Sequence, residues 1–171
     1  MKNSLHGARI VAVAEIQTPL GPMTALATEH GLAALWFDAR ERFAAAIGDA
    51  PDDPDHPAIA AARRWLSAYW AGEDPRAIPV PLDLHGTAFQ RAVWQQLLTI
   101  PPGHTRSYGA VAAGVGGGAV ARATGAACGA NPVGVIVPCH RVVGANGSLT
   151  GFAAGLPRKT ALLQHEGVLL A

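Results

Sequence analysis

The stretch Ser107–Asn131, SYGAVAAGVGGGAVARATGAACGAN, reads as two short helices of small residues, SYGAVAAGV and AVARATGAACGAN, on either side of a glycine run. Two helices joined by a tight glycine turn are the outline of a helix-turn-helix. Upstream, Thr87 is placed to cap a helix over AFQRAVWQQLLTI, residues 88–100, with Phe89, Val93, Trp94 and Leu97 on one face. PPGHT then ends it. Downstream, GVIV (134–137) reads as a brief strand running into Pro138 and Cys139. LPRKTALLQHEG (156–167) reads as a last helix closed by Gly167.

The first half has a different texture. Apolar residues alternate or run in RIVAVAEI (9–16), MTALAT (23–28) and LAALWF (32–37), separated by TPLGP and EHG, both turn chemistry. This predicts an antiparallel three-stranded meander. A loop follows in GDAPDDPDHP (48–57), then a helix in AIAAARRWLSAYWAG (58–72), whose apolar positions recur at helical spacing and which ends on Gly72. The proline-rich EDPRAIPVPLDLHG (73–86) is the best place for a linker. The expected class is α+β. The expected division is an N-terminal α/β structural domain over 1–84, including a linker at 73–84, and a C-terminal domain over 85–171. There is no internal repeat.

With 171 residues, half of them apolar and 15% charged, the chain can bury a core and is no candidate for wholesale disorder. No apolar stretch is long enough to span a bilayer, so no membrane association is expected. The opening MKNSLHGARIVAVAEIQTP has its apolar run interrupted by Glu15 and Gln17 and reads as a first strand, not a secretory signal. Two cysteines are too few for a disulfide framework, and a cytoplasmic location is expected. The net charge of +1 conceals an asymmetry: residues 1–84 carry seven Lys/Arg against eleven Asp/Glu, whereas residues 85–171 carry six against the single Glu166. A basic second half points to an anionic partner.

Cys139 sits in VIVPCHRVVG beside His140. A free thiol has a pKa of about 8.5, so a nucleophilic Cys needs help at neutral pH. Adjacent residues on extended backbone face opposite ways, so contact with His140 would need a turn at that point or an intervening water. Glu166, on the last helix, could orient an imidazole as a third member of the relay. Composition and spacing leave a buried structural thiol and a nucleophile both open. A metal ligand fares worse, because neither Cys128 nor Cys139 belongs to a set with zinc spacing.

IVPCHRVVGANGSLTGFAAGL followed by RKTALLQHEG resembles the O6-alkylguanine-DNA alkyltransferase (methylated-DNA–protein cysteine methyltransferase) family, whose signature centres on PCHRV. The likeness extends upstream through GTAFQRAVWQQLLTIPPGHTRSYGAVA and VARATGAACGANPV, covering residues 85–167; the first half fits only in its strand-then-helix order. The resemblance implies a winged helix-turn-helix in the second domain, which would carry both alkyl transfer and DNA binding. It also implies single-turnover DNA repair, in which the alkyl group of O6-alkylguanine, and of O4-alkylthymine, moves irreversibly to Cys139. No cofactor and no metal are implied. By the same resemblance His140 acts through a bound water, Glu166 orients it, Tyr108 helps protonate the departing guanine, and Asn131 braces the turn around the Cys. Val142, Phe152 and Ala153 would contact the substrate, with Ala153 offering only its backbone N–H.

The alkylated base lies inside a duplex and must be turned out to react. Arg122 matches the finger that fills the vacated stack, and Ala123 and Ala126 belong to a thin helix suited to the minor groove, with Ser107 a further DNA contact. Double-stranded DNA, met by a monomer, is the implied partner. The run GVGGGAVAR lacks the lysines often seen between the two helices in relatives, and Gly129 replaces a basic residue found in some, which predicts weakened phosphate contacts. Arg141 is expected to tether the active-site loop, Cys128 to be a small core residue, and His30 and His85 to be ordinary histidines. Other readings are a damage sensor that flips the base without reacting, a cysteine hydrolase using Cys139, His140 and Glu166, and a transferase acting on a small-molecule alkyl donor.

Overall fold

The computed structural model describes residues 5–169. Met1–Ser4, the head of the segment read as non-secretory, and the last two residues of the second expected domain lie outside the described residues. The described chain forms two compact units that meet in sequence between His85 and Gly86.

The first unit is built on β1 (Ala12–Ile16), β2 (Met23–Thr28) and β3 (Gly31–Phe37), an antiparallel meander in the order β1-β2-β3. Ala12 pairs with Ala27 and Ile16 with Met23, while Met23 also pairs with Phe37 across a ladder that shifts register between Leu26 and Ala27. After a single turn of helix, α1 (Ala44–Ile47), the helix α2 (Pro57–Trp70) lays Ile59, Ala62, Leu66 and Tyr69 into the core. Pro57 occupies the first turn, where its missing N–H costs nothing, and His56 Nδ1 accepts from the Ala58 N–H at 3.3 Å.

Both edges of this sheet are covered by the segments that read as loop and linker. Val13 donates to Pro51 O at 3.0 Å and accepts from Asp53 N at 2.9 Å. Leu32 donates to Pro81 O at 2.7 Å and accepts from Asp83 N at 2.9 Å. The prolines therefore protect the two strand edges, which would otherwise be templates for aggregation.

In the second unit, α3 (Ala88–Leu98) opens with a reciprocal capping box: Thr87 Oγ1 accepts from Gln90 N at 3.1 Å and Gln90 Oε1 from Thr87 N at 2.9 Å. Its Trp94, fully buried, donates from Nε1 to Ala127 O at 2.9 Å. A methyl at Gly86 would stand 2.5 Å from the Trp94 ring, so the position needs glycine. Helices α4 (Tyr108–Val115) and α5 (Ala121–Gly129) flank Gly116–Gly118, whose φ angles of 74°, 63° and 76° all lie in the left-handed region. β4 (Arg106–Ser107) pairs in parallel with β5 (Val142–Val143), and α6 (Leu156–His165) closes the unit.

One expectation fails. GVIV is not a strand: Val135 has φ 68°, Ile136 donates back to Gly134 O at 2.8 Å and Val137 to Val133 O at 3.1 Å. The run is a buried turn, with Val135 and Val137 inaccessible to solvent. A short apolar run signals burial without saying how the backbone runs.

Candidate active site

The buried turn delivers Cys139, His140 and Arg141 as one turn of 3₁₀ helix after Pro138. The backbone therefore turns between Cys139 and His140 instead of running extended. Cys139 is 6% exposed and His140 wholly buried. Asn131, itself inaccessible, holds the arrangement from below. Its Nδ2 donates to Val137 O at 2.8 Å and to Cys139 Sγ at 3.2 Å, while its Oδ1 accepts from Val133 N at 3.0 Å. One amide thus fixes both ends of the turn and places an N–H on the sulfur.

Behind the turn lies a charge cluster closed by α6. His140 Nε2 is 2.7 Å from Glu166 Oε1. Arg141 donates from Nε to Glu166 Oε2 at 2.9 Å, from Nη2 to Oε1 at 2.8 Å, and from Nη1 to Ile100 O at 2.6 Å. Burial by itself would raise the Glu166 pKa. The hydrogen bonds from His140 and Arg141, together with the Arg141 charge, outweigh it and hold the carboxyl at about 2. An ionised carboxylate only accepts, so His140 Nε2 carries the hydrogen and Nδ1 the lone pair. Burial, opposed by Glu166, pushes the His140 pKa down, which leaves the imidazole neutral. Nδ1 is buried with no hydrogen-bond partner among the described residues. The Cys139 thiol is pushed up by burial, with the Asn131 N–H and the Lys159 ammonium pulling the other way.

Cys139 faces a cavity of about 490 Å³ lined by Tyr108, Gly125, Ala126, Cys128, Phe152 and Ala153, among others. The volume suits a flat heterocycle. Tyr108 is half-buried, its hydroxyl donating to Thr150 O at 3.0 Å, and burial raises its pKa. Cys128 reaches the same cavity from α5, its thiol pushed up to about 12 by burial.

Comparison with known families settles the kinship. Residues 12–84 match the ribonuclease-like domain of 6-O-methylguanine DNA methyltransferase, and residues 88–168 match its DNA binding domain. A methylated-DNA–protein-cysteine methyltransferase of Salmonella typhimurium is 41% identical over 163 residues, spanning 91% of this chain and 95% of its own. The chain belongs to this methyltransferase family.

A Mycobacterium tuberculosis methyltransferase of the same name is 54% identical over 113 residues, covering 66% of this chain and 68% of its own. The crystal structure of Mycobacterium tuberculosis OGT in complex with DNA superposes with a TM-score of 0.79 at 43% identity, covering 91% of this chain and 92% of that one.

Within this methyltransferase, not every residue singled out from sequence reaches the cavity. Phe152 and Ala153 line it; Val142 is not among the lining residues, its side chain being fully buried while its carbonyl oxygen accepts from Lys159 Nζ at 2.6 Å. Ala126 lines the cavity while Arg122 and Ala123 stand exposed on α5, whose other side buries Thr124, Ala127 and Cys128. Ser107 is half-buried, and its Oγ caps α4 by accepting from Ala110 N at 3.1 Å. In the first unit, His30 and His85 flank Asp83, which accepts from Thr28 Oγ1 at 2.5 Å and lies 3.0 Å from His85 Nε2. Sequence reasoning missed Lys159. The signal was present: Lys159, Leu162, Leu163 and Glu166 fall on one face of α6, at the spacing of an apolar stripe.

Proposed function

We propose that this methyltransferase repairs duplex DNA by moving the alkyl group of O6-alkylguanine, and of O4-alkylthymine, onto Cys139 in a single irreversible turnover. The observation that carries the reading is the Cys139 sulfur at the wall of a base-sized cavity, with an amide N–H on it and a neutral imidazole, oriented by an ionised glutamate, behind it. His140 Nδ1, holding the lone pair, takes the thiol proton through a bridging water. The thiolate attacks the alkyl carbon; the S–C bond forms, the C–O6 bond breaks, and the electron pair leaves with guanine. Tyr108 supplies a proton to that leaving group, and solvent exchange returns His140 and Tyr108 to their starting states. Overall, thiol and alkylguanine become thioether and guanine. The thioether is stable, so the protein acts once.

A thin, largely uncharged α5 with Arg122 exposed near its start supports approach through the minor groove, with Arg122 filling the stack that the extruded base leaves. Among the described residues no helix is long and apolar enough to cross a membrane, and a monomer working in the cytoplasm is the setting proposed. Intact mass after mixing with duplex DNA containing O6-methylguanine tests the reaction. A gain of one methyl on the protein, lost in Cys139→Ala, is expected. Unchanged mass with DNA still bound would favour a sensor, and methyl found on Cys128 would overturn the assignment of the nucleophile.

A further inference from the structure

Lys159 has no exposed surface, and its ammonium donates to three main-chain oxygens: Val142 O at 2.6 Å, Thr150 O at 3.0 Å and Gly151 O at 3.3 Å. Three such bonds require three N–H groups, so this geometry belongs to the charged amine, not the neutral one. Val142 directly follows the turn that carries Cys139. Thr150 and Gly151 open the loop whose Gly151, Phe152 and Ala153 line the cavity. One buried cation therefore ties the nucleophile's turn to the opposite wall.

Thr150 O has a second donor, the Tyr108 hydroxyl at 3.0 Å. A carbonyl oxygen has two lone pairs and can hold both. We propose that Lys159 is a positioning residue for alkyl transfer: by staying on Thr150 O, it lets the Tyr108 hydroxyl leave that oxygen for the departing guanine while the cavity wall stays in place. This inference rests on reading Tyr108 as the donor to guanine. Without Lys159, a turn of Tyr108 toward the base would remove the last side-chain tie on Thr150 O and leave the loop that carries Gly151, Phe152 and Ala153 unanchored at that point. The hydroxyl could then leave only at the expense of the cavity wall. The ammonium also favours the thiolate form of Cys139, which is a separate effect and must be measured apart.

The test is a double-mutant cycle on the full chain with Lys159→Met and Tyr108→Phe. Benzyl transfer from free O6-benzylguanine is the readout, and each rate is normalised to iodoacetamide labelling of Cys139 so that changes in the thiol cancel. Lys159→Met should slow normalised transfer at least about fivefold more when Tyr108 is present than in the Tyr108→Phe background, a coupling in the range seen for residues sharing a partner. Equal losses in both backgrounds would reduce Lys159 to a structural tie and overturn the proposal. Should melting curves show Lys159→Met unfolded, Lys159→Arg enters the same cycle, since it keeps the charge but replaces the three-pronged ammonium with a planar fork. The same coupling is then expected, and its absence overturns the proposal. Tyr108→Phe alone separates this inference from the reading beneath it. If that variant transfers at the parent rate, the role of Tyr108 falls and the proposal with it. If it is slow but the losses simply multiply, only the proposal falls.

Discussion

Glu166 has a side chain 1% exposed and answers two neighbours at once, the imidazole of His140 and the guanidinium of Arg141. Its carboxyl sits at about 2 against an ordinary 4.5, so its contribution to stability is fully present above about pH 4.5 and is lost as pH falls through 2. That difference corresponds to about 3 kcal/mol. Glu166→Gln should remove this acid-sensitive part, flattening the fall in melting temperature between pH 4.5 and pH 2. It should also cost about 3 kcal/mol at neutral pH, because the Arg141 charge stays buried without its counter-ion. The thiol reports separately. With the His140 tautomer no longer dictated by an acceptor-only partner, iodoacetamide labelling of Cys139 should move to higher pH and alkyl transfer should slow. An unchanged labelling profile with an unchanged transfer rate would leave Glu166 as a packing residue only. The sequence allowed Glu166 to be paired with His140, since it is the single carboxylate in 85–171. It could not reveal that Arg141 shares the same oxygens, because adjacency to His140 along the chain says nothing about direction across a 3₁₀ turn.

At the scale of elements, α3 shows what local chemistry settles without tertiary help. Thr87→Ala removes both the side-chain acceptor for Gln90 N and the reason for Gln90 to fold back, at a cost of about 1 kcal/mol, to be read as a lower denaturant midpoint with an unchanged slope. A loss below the error of the midpoint would mean that Trp94 packing alone holds this helix end. The strands β1 to β3 were equally legible, because their apolar runs are punctuated by Pro, Gly and His-Gly breaks. GVIV was not, since its apolar residues serve a turn buried on every side rather than a ladder. Lys159 was missed for the complementary reason. A lysine is read by default as solvated, and its three partners are backbone oxygens, which carry no signature in any side chain. Asn131 was reached only through resemblance. It too bonds main-chain groups, Val137 O and Val133 N, beside its bond to sulfur.

For the whole molecule, the charge asymmetry between the halves needs to be weighed against where the charges end up. Residues 85–171 hold six Lys/Arg and one Glu. Arg141 is 4% exposed and committed to Glu166 and Ile100 O, and Lys159 is inaccessible and committed to three carbonyls. Both are internal cations that serve the site and cannot meet a phosphate. That leaves Arg91, Arg106, Arg122 and Arg158 with exposed or partly exposed side chains. Arg106 already donates to Thr99 Oγ1 at 2.9 Å and Arg91 to Gly86 O, though neither bond removes the charge from the surface. Each neutralised phosphate releases close to one counter-ion, so the logarithm of DNA affinity should fall with the logarithm of salt concentration at a slope no steeper than about −4. Arg122→Ala should make that slope shallower by about one if Arg122 meets phosphate, and leave it unchanged if Arg122 is spent inside the base stack. Titration of a fluorescent duplex at several salt concentrations, with Cys139→Ala to prevent reaction, measures both. A slope much steeper than −4 would require cations from the first half, where Arg9, Arg40, Arg42, Arg63, Arg64 and Arg76 are found, and would make that unit a participant in binding DNA.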